Sequence, residues 1–171
     1  MKRNRLKKQA GIALVEVIAA LGIAVLTITA LASLSISTLR SSLDSKLLLE
    51  GTKIANKQVE LVRAYRDGRT WDEFIYGGGG GMGVSLCTGE SVASYCHIDS
   101  STPLDGEGSQ GSGSELLTYR FSATNIDGTP ISSDPLNIPN VVRISVSVNW
   151  QIGDDTKGTN IYTDLSNWRV E

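Results

Sequence analysis

Residues 12–39 read IALVEVIAALGIAVLTITALASLSISTL, 28 residues in which Glu16 is the single charge. An α-helix of that length rises to ~42 Å at ~1.5 Å per residue. The hydrocarbon core of a bilayer is ~30 Å thick. The stretch therefore predicts a helix that crosses a membrane and continues beyond it. Just ahead of it stand Lys2, Arg3, Arg5, Lys7 and Lys8, with no acid among the first eleven residues. A basic cluster before an apolar run keeps the N-terminus cytoplasmic and sends the C-terminal part across the membrane.

The rest of the chain is unlike this stretch. The full sequence has 171 residues, room for one globular domain and not comfortably for two. Its 40% apolar and 20% charged content looks like an ordinary soluble protein only because two unlike parts are averaged. Without residues 1–11, Lys+Arg falls from 16 to 11 while Asp+Glu stays at 18, which leaves about −7. So acidic a domain lacks the basic footprint that nucleic-acid binding rests on. It suits an exported, solvated surface. Both cysteines, Cys87 and Cys96, fall in the exported part. An even pair in an oxidising compartment reads as one disulfide, with two unpaired thiols as the alternative. Two cysteines and His97 lack the fourth ligand of a tetrahedral zinc set.

From residue 12 to about residue 65 there is no proline, and Gly22 and Gly51 are the only glycines. Residues 40–66 bring back charge around an apolar stripe at Leu43, Leu47, Ile54, Leu61 and Tyr65. The spacing predicts one long helix whose second half lays one face on a domain. Gly51 should cost that helix up to ~1 kcal/mol relative to Ala. Gly68 is a stop signal. Trp71-Asp72-Glu73-Phe74 reads as a short turn with two aromatic anchors. Residues 77–83 contain five consecutive glycines, Gly77 to Gly81, and read as a flexible loop, since the Lys-Ser/Thr ending of a phosphate-binding loop is missing. Residues 105–114 have linker composition.

Strand signals follow over Leu117 to Thr124 and Val142 to Trp150. In the second, Val142, Ile144, Val146, Val148 and Trp150 alternate with polar residues, as in a half-buried antiparallel strand. A turn over residues 153–158 leads to a further alternating run from Thr159 to Leu165, which completes a β-hairpin. The expected fold class is α+β: a long N-terminal helix packed on a small antiparallel sheet. The expected organisation is a basic leader (1–11), a membrane or filament-core half-helix (12–39), an amphipathic half-helix (40–66) and a globular domain (67–171).

The junction Lys7-Lys8-Gln9-Ala10-Gly11, then Ile12-Ala13-Leu14-Val15-Glu16-Val17, resembles the class III signal of type IV pilins and type II secretion pseudopilins. In that family a basic leader ends in Gly, cleavage follows it, and Glu is the fifth mature residue. Gly11, Leu14 and Glu16 match; Ile12 replaces the usual Phe and Ala13 the usual Thr. The resemblance implies cleavage between Gly11 and Ile12 by a prepilin peptidase, N-methylation of Ile12, and a register role for Glu16 toward the amine of a neighbouring subunit. It further implies other pilin or pseudopilin subunits, a membrane assembly platform and the lipid bilayer as partners, a place in the cytoplasmic membrane and then in a filament, and no cofactor. The segment Ala55-Asn56-Lys57-Gln58-Val59-Glu60-Leu61-Val62-Arg63 is similar to a stretch of the minor pilins called pilus modification proteins and of related minor pseudopilins. The C-terminal pattern, Val146 to Trp150 and then Leu165 to Trp168, is similar too. Many major pilins carry a Pro where Ser33 stands, so its absence favours a minor subunit.

Physical chemistry supports attention to the same residues. A glycine before the scissile bond lets a protease approach the backbone closely. An ionisable group in a membrane helix costs on the order of 2.5–3.5 kcal/mol by insertion scales, and such groups are usually functional. Other readings compete. Ala30-Leu31-Ala32 is an Ala-x-Ala site, and cut before Ser33 the chain becomes an ordinary secreted domain; left uncut, it is a simple membrane-anchored one. Against secretion, 12–32 exceeds the usual ~7–15-residue apolar segment of a signal peptide. No catalytic triad is legible around His97, and the chain reads as a non-enzyme. Asp154 and Asp155 are candidate calcium ligands, though paired acids in a hairpin are more often turn formers.

Overall fold

A computed structural model of the protein describes residues 14–78, 81–91, 94–99, 103–111, 116–134 and 136–168, with the backbone of the first helix traced from Arg3 and residues 104 and 105 described by backbone alone. Helix α1 runs from Arg3 to Asp67, 65 residues. The chain divides into two compact units, Met1–Ser45 and Lys46–Glu171. The first is helix alone. The second holds the end of α1 and all of the sheet, an α+β arrangement.

Within the second unit, α1 buries Leu47, Ile54, Ala55, Gln58, Val59, Val62 and Tyr65. This face is turned from the expected one: Leu61 is half-buried and Leu43 exposed. Leu43 and Leu61 follow the hydropathy, but the true contact line also passes through Gly51, Ala55 and Gln58, small or polar residues that a search for large apolar side chains skips. Gly51 faces Trp150, and a Cβ built there would lie 2.9 Å from its ring. The bare backbone lets helix and sheet approach closely. Gln58 is 2% exposed and acts as a strand neighbour: its Nε2 donates to Ile98 O at 2.8 Å, and Ile98 N donates to its Oε1 at 3.0 Å.

Helix α1 stops at Asp67, where Gly68 N still donates to Ala64 O at 3.2 Å. The expected turn at Trp71 is a short helix, α2, Trp71–Tyr76. Thr70 and Glu73 form a reciprocal capping box that satisfies its first free N–H groups. Phe74 and Ile75 are fully buried, and Trp71 Nε1 donates to Pro139 O at 2.8 Å.

The glycine run, read from sequence as a flexible loop over 77–83, carries a short ladder. Gly77–Gly78 (β1) and Gly81–Met82 (β2) form an antiparallel ladder, with residues 79–80 outside the described set. Tyr65 Oη donates to Met82 O at 2.8 Å, and Arg69 Nη1 donates to Gly78 O at 2.6 Å. A Cβ on Gly81 would meet Tyr65 Oη at 2.5 Å and Arg69 Nη2 at 2.6 Å. Gly81 is needed because Tyr65 of α1 and Arg69 of the following loop pack directly on its backbone.

The main sheet is antiparallel. It comprises β3 (Cys96–Ile98), β4 (Pro103–Asp105), β5 (Gly108–Gln110), β6 (Leu117–Thr124), β7 (Val141–Ile152) and β8 (Asp155–Ser166), in the order β4-β3-β6-β7-β8, with β5 also on β6. The linker expected over 105–114 thus contains β5, held by pairing Gly108 with Tyr119 and Gln110 with Leu117; 112–115 lie outside the described residues. In β7 the alternation is as expected, with Val142, Ile144, Val146, Val148 and Trp150 buried. The β7–β8 turn is tighter than the expected six residues. Ile152 pairs with Asp155, so only Gly153 and Asp154 turn, with Gly153 at φ 63. A left-handed first position alone is the type II′ pattern, whose twist matches the flanking strands.

Candidate functional site

The first half of α1 is the most unusual surface of the chain. From Leu14 to Leu39 its large apolar side chains are all exposed, from Ile36 at 55% to Leu26 at 69%. No apolar surface of this extent is left to water in a folded protein without a partner or a lipid phase to cover it. Four of the six hydroxyls on it, from Thr27 to Thr38, are bonded to its own backbone. Thr27, Thr29 and Ser35 donate their hydroxyls to the carbonyls of Ala24, Val25 and Leu31 at 2.8, 3.0 and 2.9 Å, and Thr38 donates to Leu34. These i−3 and i−4 bonds leave few hydroxyls seeking water, the condition for burial in hydrocarbon. The helix contains an 18-residue window apolar enough to cross a membrane, with none of that window buried.

Glu16 is exposed on this helix and is the one carboxylate in its apolar half. Gly11 and Ile12 lie outside the residues whose side chains are described. Ala30, Leu31 and Ala32 are in unbroken helix that continues through Ser33.

In the second unit a disulfide joins Cys87 to Cys96, with the Cα atoms 5.4 Å apart and both residues fully buried. It fastens the end of a 3-10 turn, Val84–Leu86, to β3. Next to Cys96, His97 Nδ1 lies 3.2 Å from Gly106 O, and its Nε2 lies 3.6 Å from Asp99 Oδ2. Tyr119 Oη donates to the same carboxylate at 2.8 Å. Burial, and then that hydrogen bond, push the Tyr119 phenol up to about 12. This cluster ties the β3–β4 turn to β6. Asp154 sits in the hairpin turn and Asp155 opens β8, both exposed. Among the described residues no three His, Cys, Asp or Glu side chains gather as a metal site.

An open groove of about 540 Å³ runs beside the lower part of the packed helix, lined by Lys46, Leu49, Glu50, Lys53, Ile54, Lys57 and Gln110. On sequence alone these lysines are no more than a solvent-facing set. The 46, 53, 57 spacing puts them on one helical line, but the Gln110 wall depends on β5, which composition had concealed.

Comparison with protein-family models, with curated proteins and with solved structures finds no match. Function therefore rests on the residues themselves.

Proposed function

We propose that this chain is the precursor of a type IV pilin-like filament subunit. It is held in the cytoplasmic membrane by α1 with the sheet-bearing unit exported. A prepilin peptidase cuts it between Gly11 and Ile12 and methylates the new amine. It then assembles through the apolar helix into a pilus or a type II secretion pseudopilus, as a minor subunit.

The observation that carries this reading is Glu16, the lone charge from 12 to 39, placed five residues after a glycine that ends a basic leader. An anchor needs no carboxylate in its apolar segment, and the group is costly there. A filament subunit has a use for it: in a dry bundle of helices a carboxylate strongly favours a partner of opposite charge. Cleavage after Gly11 supplies that partner as the amine of Ile12. The exposed apolar half-helix, with most of its hydroxyls bonded inward, supports a segment covered first by lipid and then by like helices. Transfer between the two keeps burial at ~25 cal/mol per Å2.

Glu16→Ala separates the two roles of the N-terminus. The variant should be cut as efficiently as the parent, yet its incorporation into sheared filaments should fall by about tenfold or more, because removing one member of a buried pair leaves the other uncompensated. Parent-level incorporation would count against the register role.

A further inference from the structure

The sheet-bearing unit carries unpaired charges of opposite sign on two separate features, a helix-lined groove and a hairpin tip. Its described arginines are all engaged. Arg63, Arg66, Arg120 and Arg143 pair with Glu60, Asp67, Glu107 and Asp164, and Arg69 lies over the Tyr65 ring. Lys53 and Lys57 differ: among the described residues they have no ion pair. They line the groove whose far wall is Gln110 of β5. The one acid in the groove, Glu50, accepts a hydrogen bond from Gln110 Nε2 at 3.4 Å.

Four described acids of this unit are in the mirror situation, Asp72, Glu90, Asp154 and Asp155, and only the last two are adjacent. Asp154 and Asp155 are exposed, and among the described residues their side chains have no hydrogen bond or ion pair. They sit at the tip of the β7–β8 hairpin. Its last rungs, Gln151 with Thr156 and Ile152 with Asp155, run past the end of β6, whose final pair is Leu117 with Trp150. The tip therefore projects from the sheet.

The groove and the tip are separate features: the groove's far wall is β5, which pairs with the side of β6 away from β7, while its near wall is α1, which at Gly51 lies over Trp150 and Thr159 of the hairpin strands. Two distinct complementary patches let copies pair head to tail, groove to tip, which is a heterologous contact. From this we infer that the groove of one copy receives the β7–β8 hairpin tip of a second copy. Lys53 and Lys57 meet Asp154 and Asp155 there, with Leu49 and Ile54 as the apolar floor. An i,i+4 pair on a helix stands about 6 Å apart, a spacing that two adjacent carboxylates at a turn can match. The inference rests on the filament reading, because it supplies a side-to-side contact for the exported units of neighbouring subunits.

The test uses the full-length chain in cells, with equal amounts of unlabelled and 15N-labelled protein mixed in one filament or membrane preparation. A zero-length carbodiimide crosslinker then joins touching amines and carboxylates. Peptides linking Lys53 or Lys57 to Asp154 or Asp155 across isotopically different copies are expected. The double reversal Lys53→Glu/Lys57→Glu removes both amines and so abolishes these peptides. Mixing that variant with Asp154→Lys/Asp155→Lys should restore intermolecular linkage with the amines and acids exchanged, which also shows both variants folded. Protein that is cut after Gly11 and recovered in filaments, yet gives no such linkage, overturns this contact and leaves the filament reading intact. So does protection of Lys53 and Lys57 by anionic lipid vesicles in place of a second copy. Protein that is neither cut at Gly11 nor assembled overturns both.

Discussion

At the scale of single residues, Gly51 shows how a local rule and a packing rule oppose each other. Helix propensity favours Ala at that position by up to ~1 kcal/mol. The Trp150 ring, 2.9 Å from where the Cβ would be, favours Gly. Overpacking a buried contact typically costs ~1–3 kcal/mol, so packing should win. Gly51→Ala is expected to lower the urea-unfolding stability of the detergent-solubilised chain by about 1 kcal/mol. In a Trp150→Leu background the same change should become stabilising. A gain from Gly51→Ala in the parent would mean that helix and sheet are not in this close contact. Asp164 gives a pH prediction. Its carboxylate accepts from Arg143 Nε at 2.8 Å and Nη2 at 3.0 Å, and the Arg143 bond holds it below its ordinary value of 3.8. Asp127 is lowered as well, by the Thr129 hydroxyl and N–H. A carboxyl whose folded pKa is depressed binds protons more readily when unfolded. The stability from these groups is therefore present above the ordinary carboxylate range and is lost as pH falls through their lower folded values. The denaturation midpoint should stay level from pH 7 to about 5 and fall below about 4. Asp164→Asn should blunt that fall; an unchanged acid limb in the variant would remove Asp164 from the account.

At the scale of elements, legibility followed the period of the pattern. β7 was readable because five apolar residues recur at a period of two over a half-buried strand. The long helix was readable because proline is missing and apolar residues are dense. Its buried face was not, since Gly51, Ala55 and Gln58 contribute contacts through smallness or hydrogen bonding, which hydropathy does not register. The ladder at Gly77 to Met82 was not legible for a related reason: composition does not register that Tyr65 and Arg69, a short way back in the chain, crowd Gly81. The 105–114 segment hid β5 because three residues, Gly108–Gln110, carry no pattern of their own and are strand only through pairing with β6. The Cys87–Cys96 bridge spans a separation of 9 residues in the part of the chain with least regular structure. A cross-link over so short a loop removes about 2–3 kcal/mol of unfolded-state entropy. Cys87→Ala/Cys96→Ala should lose about that much stability by urea unfolding, with the β6–β7–β8 strands still protected from hydrogen exchange. Equal stability of the two forms would show that the 3-10 turn is held by its packing alone.

At the scale of the whole molecule, the chain is made of two kinds of sequence. The first unit is a helix with its apolar surface outward and hydroxyls bonded to its own carbonyls; the second is an acidic α+β unit with a buried core. The contrast was plain in composition, and Glu16 stood out for the same reason: one charge is conspicuous against 28 residues that otherwise carry none. The groove beside α1 was not visible, because its far wall is Gln110 of β5. The central claim is that the helix is released as a filament subunit by a cut at Gly11. The most direct test is the intact mass and N-terminal sequence of the protein from membranes of cells with and without prepilin peptidase. A methylated Ile12 N-terminus that is lost without the peptidase is expected. A start at Ser33, or an uncut Met1 in both strains, would contradict it and leave a secreted or simply anchored domain.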